Sequence, residues 1–433
     1  MRNRLCAVAA TLGLLVGGVR AQEPVGTDPF AAPFFQPLSG SEATFGPSGA
    51  TLSNAVATND PRSIALPPEA TIACVCDPGF KTWVTAELLI GRTRGPSLAP
   101  VVTTGPSQNG LLAGAIGQPT TLPLFGGKRV LDDWRSGVRV ELGVWLDDEY
   151  VLGVGARFYS LFSTSEQFRA IPNGASVINV PQVVSAGPLA VQVPVFVGFP
   201  GVTTGRVGAS AQTTFAGGDL NGRLALKDER VRVELLAGYR QLHLADELGA
   251  NFTVAPVGIY PLFAPQLTGG DSVRTRNNFY GPQLGLYASS GGDRFWVEGH
   301  AAGSLGVTAS TLDFARSRSG ESGGTAGNPA ALLAALGLPA TPANIASAAA
   351  TSQIPPVQSN AVSRLSYFGV VGEGGVRLNG RATEHVRVTA GYSFLYWNNV
   401  RRAQEMFVLA PVLRPQAIDF TTHLFSVGLE LRF

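Results

Sequence analysis

Charge is what this chain has least of. Asp, Glu, Lys and Arg make up 14% of its 433 residues, well under the roughly 25% of an ordinary soluble domain. What charge there is nearly cancels, at net +2 with no basic run, so nothing marks a nucleic-acid-binding surface. Cysteine is almost missing: three in all, of which Cys6 lies near the N-terminus. Cys74 and Cys76 stand one residue apart, where a mutual bridge would be strained, so there is no disulfide framework. An inter-chain or labile bond and two thiols without a role both stay open. No histidine lies near them to complete a zinc set. Long apolar runs are also absent after the first twenty residues: the Ala-rich Pro329–Ala350 comes nearest, and Pro339 and Pro342 break it. That excludes a helical membrane protein.

What remains is punctuated and periodic. Met1–Ala21 reads as a secretory signal, with Arg2 and Arg4 before the apolar Leu5–Val16 and a small-residue end at Val19-Arg20-Ala21. Gln22–Phe80, rich in Pro, Gly, Ser and Ala, reads as a mobile periplasmic extension. From Lys81 to Phe433 the pattern is period two. The last stretch, Thr422–Phe433, sets Phe425, Val427, Leu429, Leu431 and Phe433 on one face and Ser426, Gly428, Glu430 and Arg432 on the other. Nine more such segments precede it: 83–90, 135–146, 150–162, a ragged one within 206–226, 230–244, 278–288, 294–307, 367–378 and 386–396.

The spacing between them alternates short and long. Asp147-Asp148-Glu149, Lys227-Asp228-Glu229, Ser289–Asp293 and Asn379–His385 are tight and polar; 91–134, 163–205, 245–277, 308–366 and 397–421 are long. Short turns at one end, long loops at the other and an even strand count are the habit of outer-membrane barrels. The expectation is therefore an all-β, antiparallel up-and-down transmembrane barrel of ten strands, with twelve as the alternative. Phe433 would mark the closing strand. Aromatics at strand ends would form two interfacial girdles: Phe158, Tyr159, Phe162, Phe279, Tyr280, Tyr367, Phe368, Phe394, Tyr396 and Trp397 outside, Trp145, Tyr150, Phe295, Trp296 and Phe433 inside.

Over Trp83–Phe433 the chain resembles the beta-barrel porin type 7 family of bacterial outer-membrane proteins. The resemblance rests on Trp83-x-x-Ala86-Glu87-x-Leu89, Thr103-Thr104-Gly105, Leu124-Phe125-Gly126-Gly127, Arg135-Ser136-Gly137-Val138-Arg139 and Gly143-Val144-Trp145-Leu146. It continues in Leu236–Arg240, Asn278–Gly285, Gly391–Trp397 and the Gly428–Phe433 ending. It implies an outer-membrane barrel and brings no catalytic site with it.

If the apolar face meets lipid, the lumen receives Glu87, Arg139, Glu141, Arg157, Arg232, Glu234, Arg240, Glu298, Glu373, Arg377, Arg387, Glu430 and Arg432. Ten strands leave too little room for a wide pore. The charges then read either as a narrow conduit for small polar solutes or as an ion-pair ladder that supports the wall. Catalysis finds no support: His243, His300, His385 and His423 are scattered, and His243 and Asp246 fall on opposite strand faces. Gly320–Gly327 lacks the setting of a phosphate loop, and no cofactor or metal site is expected. The expected partners are outer-membrane lipid, the barrel-assembly machinery through the last strand, and a surface partner through the outer loops. Ala170–Gly205 and Ser322–Ser363 carry no charge, so they suit a plug in the barrel mouth or a surface contact, with short helices expected near 329–336 and 342–350.

Overall fold

The computed structural model describes residues 81–433 apart from 174, 187–188, 228–230, 258–265, 322–340, 342–356 and 408–416. The leader, the extension, Cys74, Cys76 and the two helices expected near 329–336 and 342–350 lie outside the described residues.

Ten strands close into an antiparallel barrel: β1 (Thr82–Thr93), β6 (Trp134–Trp145), β7 (Leu152–Ala170), β10 (Thr203–Lys227), β11 (Arg232–Pro256), β12 (Gln266–Gly291), β13 (Phe295–Glu321), β14 (Val357–Arg381), β15 (Val386–Val400) and β16 (Ile418–Arg432). The last strand seals against the first, from Trp83 opposite Arg432 to Thr93 opposite Thr422. Phe433 N–H donates to the Thr82 carbonyl at 2.9 Å. Closure leaves no ladder edge at this level, which an apolar solvent demands.

Alternation sets the faces. Along β1, Val84, Leu88 and Ile90 are exposed while Thr85, Glu87 and Leu89 are buried. The same apolar-out, polar-in rule runs around the barrel and builds an outward belt that includes Leu142, Leu224, Leu284, Val376 and Val427. Where alternation needs a bare position, glycine supplies it: the Trp83 ring lies so close over Gly143 that an added Cβ would sit 2.1 Å from it.

Six strands are far longer than their sequence patterns suggest. β10, β11, β12, β13 and β14 span 25 to 27 residues each, and β7 spans 19. Three expected long loops are corrected accordingly. Most of 245–277 is β11 and β12, and much of 163–205 and 308–366 is strand. The wall formed by these six strands rises well past the belt. From Tyr239, the last outward aromatic on β11, to Pro256 it extends about 40 Å at the usual rise and tilt.

The inner face of this tall wall is apolar and covered. Four short strands, β3 (Val102–Gly105), β4 (Leu122–Phe125), β8 (Val177–Ala186) and β9 (Leu189–Gly198), form a separate sheet in the order β4-β3-β8-β9. A two-stranded piece, β2 (Ser97–Leu98) with β5 (Lys128–Arg129), joins it to the rim. Val102, Phe125, Ile178 and Val197 from these loops pack against Ala211, Leu248, Phe252 and Leu312 of the wall. Thr103 and Asn179 both donate to the Gly114 carbonyl, at 2.6 and 3.0 Å, and latch the loops together. The uncharged stretch after Ala170 is thus partly folded inward.

Candidate functional site: the filled lumen

From the short-turn end upward, the lumen is stacked in tiers. Its floor is tryptophan and arginine: Trp83 and Trp145 lie 5.6 Å apart, Arg232 sits 4.5 Å over Trp145, and Arg387 sits 4.8 Å over Trp296. Arg232 keeps part of its side chain exposed over its ring, whereas Arg387 is buried.

The thirteen charged residues named from the sequence, Arg232 and Arg387 of the floor among them, all point inward and all are ion-paired. Arg377 reaches Glu87 at 3.2 Å, Glu141 at 3.6 Å and Glu298 at 3.7 Å. Arg139 binds Glu87 as well, and donates to Ser426 at 2.9 Å. Glu234 pairs with Arg232 at 2.8 Å. Glu430 accepts from Arg432 at 2.6 Å and Arg387 at 3.4 Å. The tightest knot is Glu373, which takes Arg157 at 2.7 Å, Arg240 at 2.5 Å and His300 at 3.3 Å. His300 therefore meets Glu373 and not Glu298, its neighbour on the same strand face.

Two members escaped the sequence reading. Asp219 accepts from Arg157 at 2.7 Å, and Arg223 binds Glu141 at 2.5 Å and Glu234 at 3.3 Å. Both sit on β10, whose segment was located without faces, although Asp219, Asn221 and Arg223 do alternate with Leu220, Gly222 and Leu224. Among these side chains a cavity of about 50 Å³ remains, room for a few waters at most.

The next tier is aromatic and dry. Phe215, Phe279, Trp397 and Phe420 are fully buried. Phe215 and Phe420 lie 4.8 Å apart, Phe279 and Trp397 6.1 Å, and Trp397 and Phe420 6.3 Å. Tyr159, Leu161, Leu242 and Leu395 fill the gaps. This corrects the two girdles. Tyr159, Phe279 and Trp397 point into the barrel, as do Trp145 and Trp296 below, whereas Phe158, Phe162, Tyr280, Phe368, Phe295 and Phe433 stay outward. Neighbours in sequence face opposite ways on a strand, so pairs such as Phe158-Tyr159 could never both meet lipid.

A short segment after β15 caps this tier. Asn277 grips the backbone of Arg401, donating to its carbonyl at 2.8 Å and accepting from its N–H at 2.9 Å. Arg402 forms a fully buried pair with Asp246, with Nη2 donating to Oδ1 at 3.1 Å, and its guanidinium lies 5.7 Å over Phe420. The single-turn helix α1 (Ala403–Met406) follows, and Glu405 accepts from the Ser97 N–H at 2.9 Å. Asp246 thus serves Arg402, while His243 faces outward and bonds Asn278 at 2.7 Å.

A closed ten-stranded barrel, oily outside and ionic within, is the architecture of an outer-membrane β-barrel. Residues 83–409 match the model of the family described as "Putative beta barrel porin-7 (BBP7)", and the chain belongs to that family. No curated protein matches it. Among solved structures it is similar to the outer-membrane protease OmpT of Escherichia coli, at 12% identity and TM-score 0.40 over 84% of this chain and 100% of that one. A FadL homologue of Pseudomonas aeruginosa matches at 9% identity and TM-score 0.21, over 81% and 90% of the two chains. An anion-selective porin of Comamonas acidovorans matches at 11% identity and TM-score 0.18, over 82% and 100%.

The belt yields a direct check. Leu284 projects outward with 71% of its surface exposed. Arginine there should cost about 2–4 kcal/mol of folding stability in a bilayer, read as a lower urea midpoint in lipid vesicles. Arginine at Ser272, outward on the same strand but beyond the belt, should leave the midpoint unchanged.

Proposed function

We propose that this family member sits in the bacterial outer membrane as a barrel closed at rest, and that it works at the cell surface through its tall wall. The observation that carries the reading is the aromatic tier: four fully buried rings seal the lumen above the ion-pair network. A solute would have to displace both. On this reading the barrel is not an enzyme, lipid covers its belt, and the strand ending at Phe433 is what the assembly machinery engages. Purified protein in a planar bilayer should be electrically silent at densities where an open barrel shows steps. Stable single-channel steps would overturn the closed barrel.

One observation favours a second reading, restricted passage of small polar solutes. The ionic tier carries both signs and already encloses a water-sized cavity, as a selective constriction would. Passage then requires the aromatic tier to swing aside, and the same bilayer recording under applied voltage would reveal it as rare, discrete openings.

A further inference from the structure

The outer face of the tall wall carries a concavity of about 1040 Å³, on the side away from the covering loops. It is carved by side-chain size. One row across the six strands reads Arg169, Gly208, Asn251, Gly270, Ser317 and Gln358, each paired with the next. The row nearer the belt reads Gln167, Ser210, Gly249, Ser272, Ala315 and Asn360 in the same register. Gly, Ser, Ala and the single amide Asn251 floor the middle strands, while Gln167 and Arg169 stand at one end and Gln358 and Asn360 at the other. The result is a groove running across the strands for about 24 Å, five inter-strand spacings.

We infer that this groove binds an extended anionic polysaccharide, one carrying carboxylates or phosphates along its chain. Charge comes first. Arg169 and Arg206 lie diagonally on neighbouring strands, about 7–8 Å apart at their backbones, and neither has an ion-pair partner among the described residues. The lining's one acid, Asp271, points to the other face and is committed to Arg316 at 3.0 Å and Arg318 at 2.8 Å. Glu247, on the same face nearer the belt, is held by Arg274 at 2.9 Å. The groove therefore offers net positive charge beside amides and hydroxyls that match sugar hydroxyls.

The competing occupants fit less well. The floor strands are paired on both sides, so a peptide cannot add to them as a strand. A lipid headgroup is out of reach, because Asn251 stands roughly 25–30 Å beyond the belt aromatic Tyr239 along β11. Among the described residues that line the groove no aromatic ring faces outward to stack a neutral sugar, so hydrogen bonds and charge carry binding there. This inference rests on the tall wall being the working surface. A barrel that conducts could still carry the groove, so the bilayer recording and the binding measurement fail independently.

The test uses the full chain in detergent micelles, with oligogalacturonate as the acidic probe and a maltooligosaccharide as the neutral one, followed by calorimetry. Oligogalacturonate should bind, weaken as salt rises, and lose at least tenfold in affinity in the Arg169→Ala/Arg206→Ala variant. Ser272→Trp fills the floor with both arginines intact and should lose as much. Arg276→Ala removes an outward arginine elsewhere and should change nothing. Each variant is checked for the heat-modifiable mobility of a folded barrel. Binding that survives Ser272→Trp, equal binding of the neutral glucan, or no binding at all would each overturn the groove.

Discussion

Alanine at Phe215, Trp397 and Phe420, combined with Arg402→Ala, should turn a silent barrel into one that conducts small ions. The three rings belong to the fully buried tier above the ionic network, with Phe215 and Phe420 4.8 Å apart and Trp397 and Phe420 6.3 Å apart, and each buried aromatic excludes water over roughly 150–250 Å². Arg402 holds the capping segment down through Asp246 and lies over Phe420. With all four gone, water from the ionic tier meets water from above, and Asp246 becomes hydrated where it would otherwise be a buried orphan. Stability falls at the same time, by about 3–5 kcal/mol for each ring lost from a packed site. Phe215→Ala/Phe420→Ala is the milder companion, which should remain folded and show smaller steps. Either variant, folded by heat-modifiability yet silent in the bilayer, would move the seal from the aromatic tier to the loop sheet above it.

Why the barrel was readable and the wall was not comes down to one inversion. Along β11 the apolar residues are outward through Val233, Leu235 and Tyr239, then inward from Leu242 and Leu244 to Leu248, Phe252 and Val254. Below the switch the outside is oil and the inside ionic; above it the outside is water and the inside is core. The strand never breaks, but its apolar phase slips by one residue, and a period-two reading stops there. β7 adds a bulge, where Thr213 faces Thr164 and Phe215 faces Leu161, which shifts its parity as well. Most lumen charges were legible because each stands between two apolar residues, as Glu87, Arg139, Glu141, Arg377 and Glu430 do. The aromatic tier was not: Phe279 and Trp397 stand with outward neighbours in the expected girdle, Phe215 lies in the ragged segment and Phe420 in an expected loop. Arg401 and Arg402 gave no periodic signal, because they reach the lumen from a turn.

Glu373→Ala should be among the most destabilising single changes in the barrel. The carboxylate is 4% exposed and takes Arg157, Arg240 and His300. Arg157 retains Asp219 at 2.7 Å, but Arg240, fully buried, would be left with Asp219 at 3.5 Å alone. Removing one partner of a buried pair costs about 3–5 kcal/mol, chiefly because the other charge stays behind without compensation. That cost should appear as a lower urea midpoint and as loss of the compact gel form at lower temperature. The converse variant separates the causes. Glu373→Leu with Arg240→Met removes both charges and keeps the volume, so it should recover most of the loss. Recovery would mean the network exists because a narrow lumen lined by charge must neutralise itself; failure to recover would mean that the pairing itself, through Arg157 and Asp219, holds the two halves of the wall together.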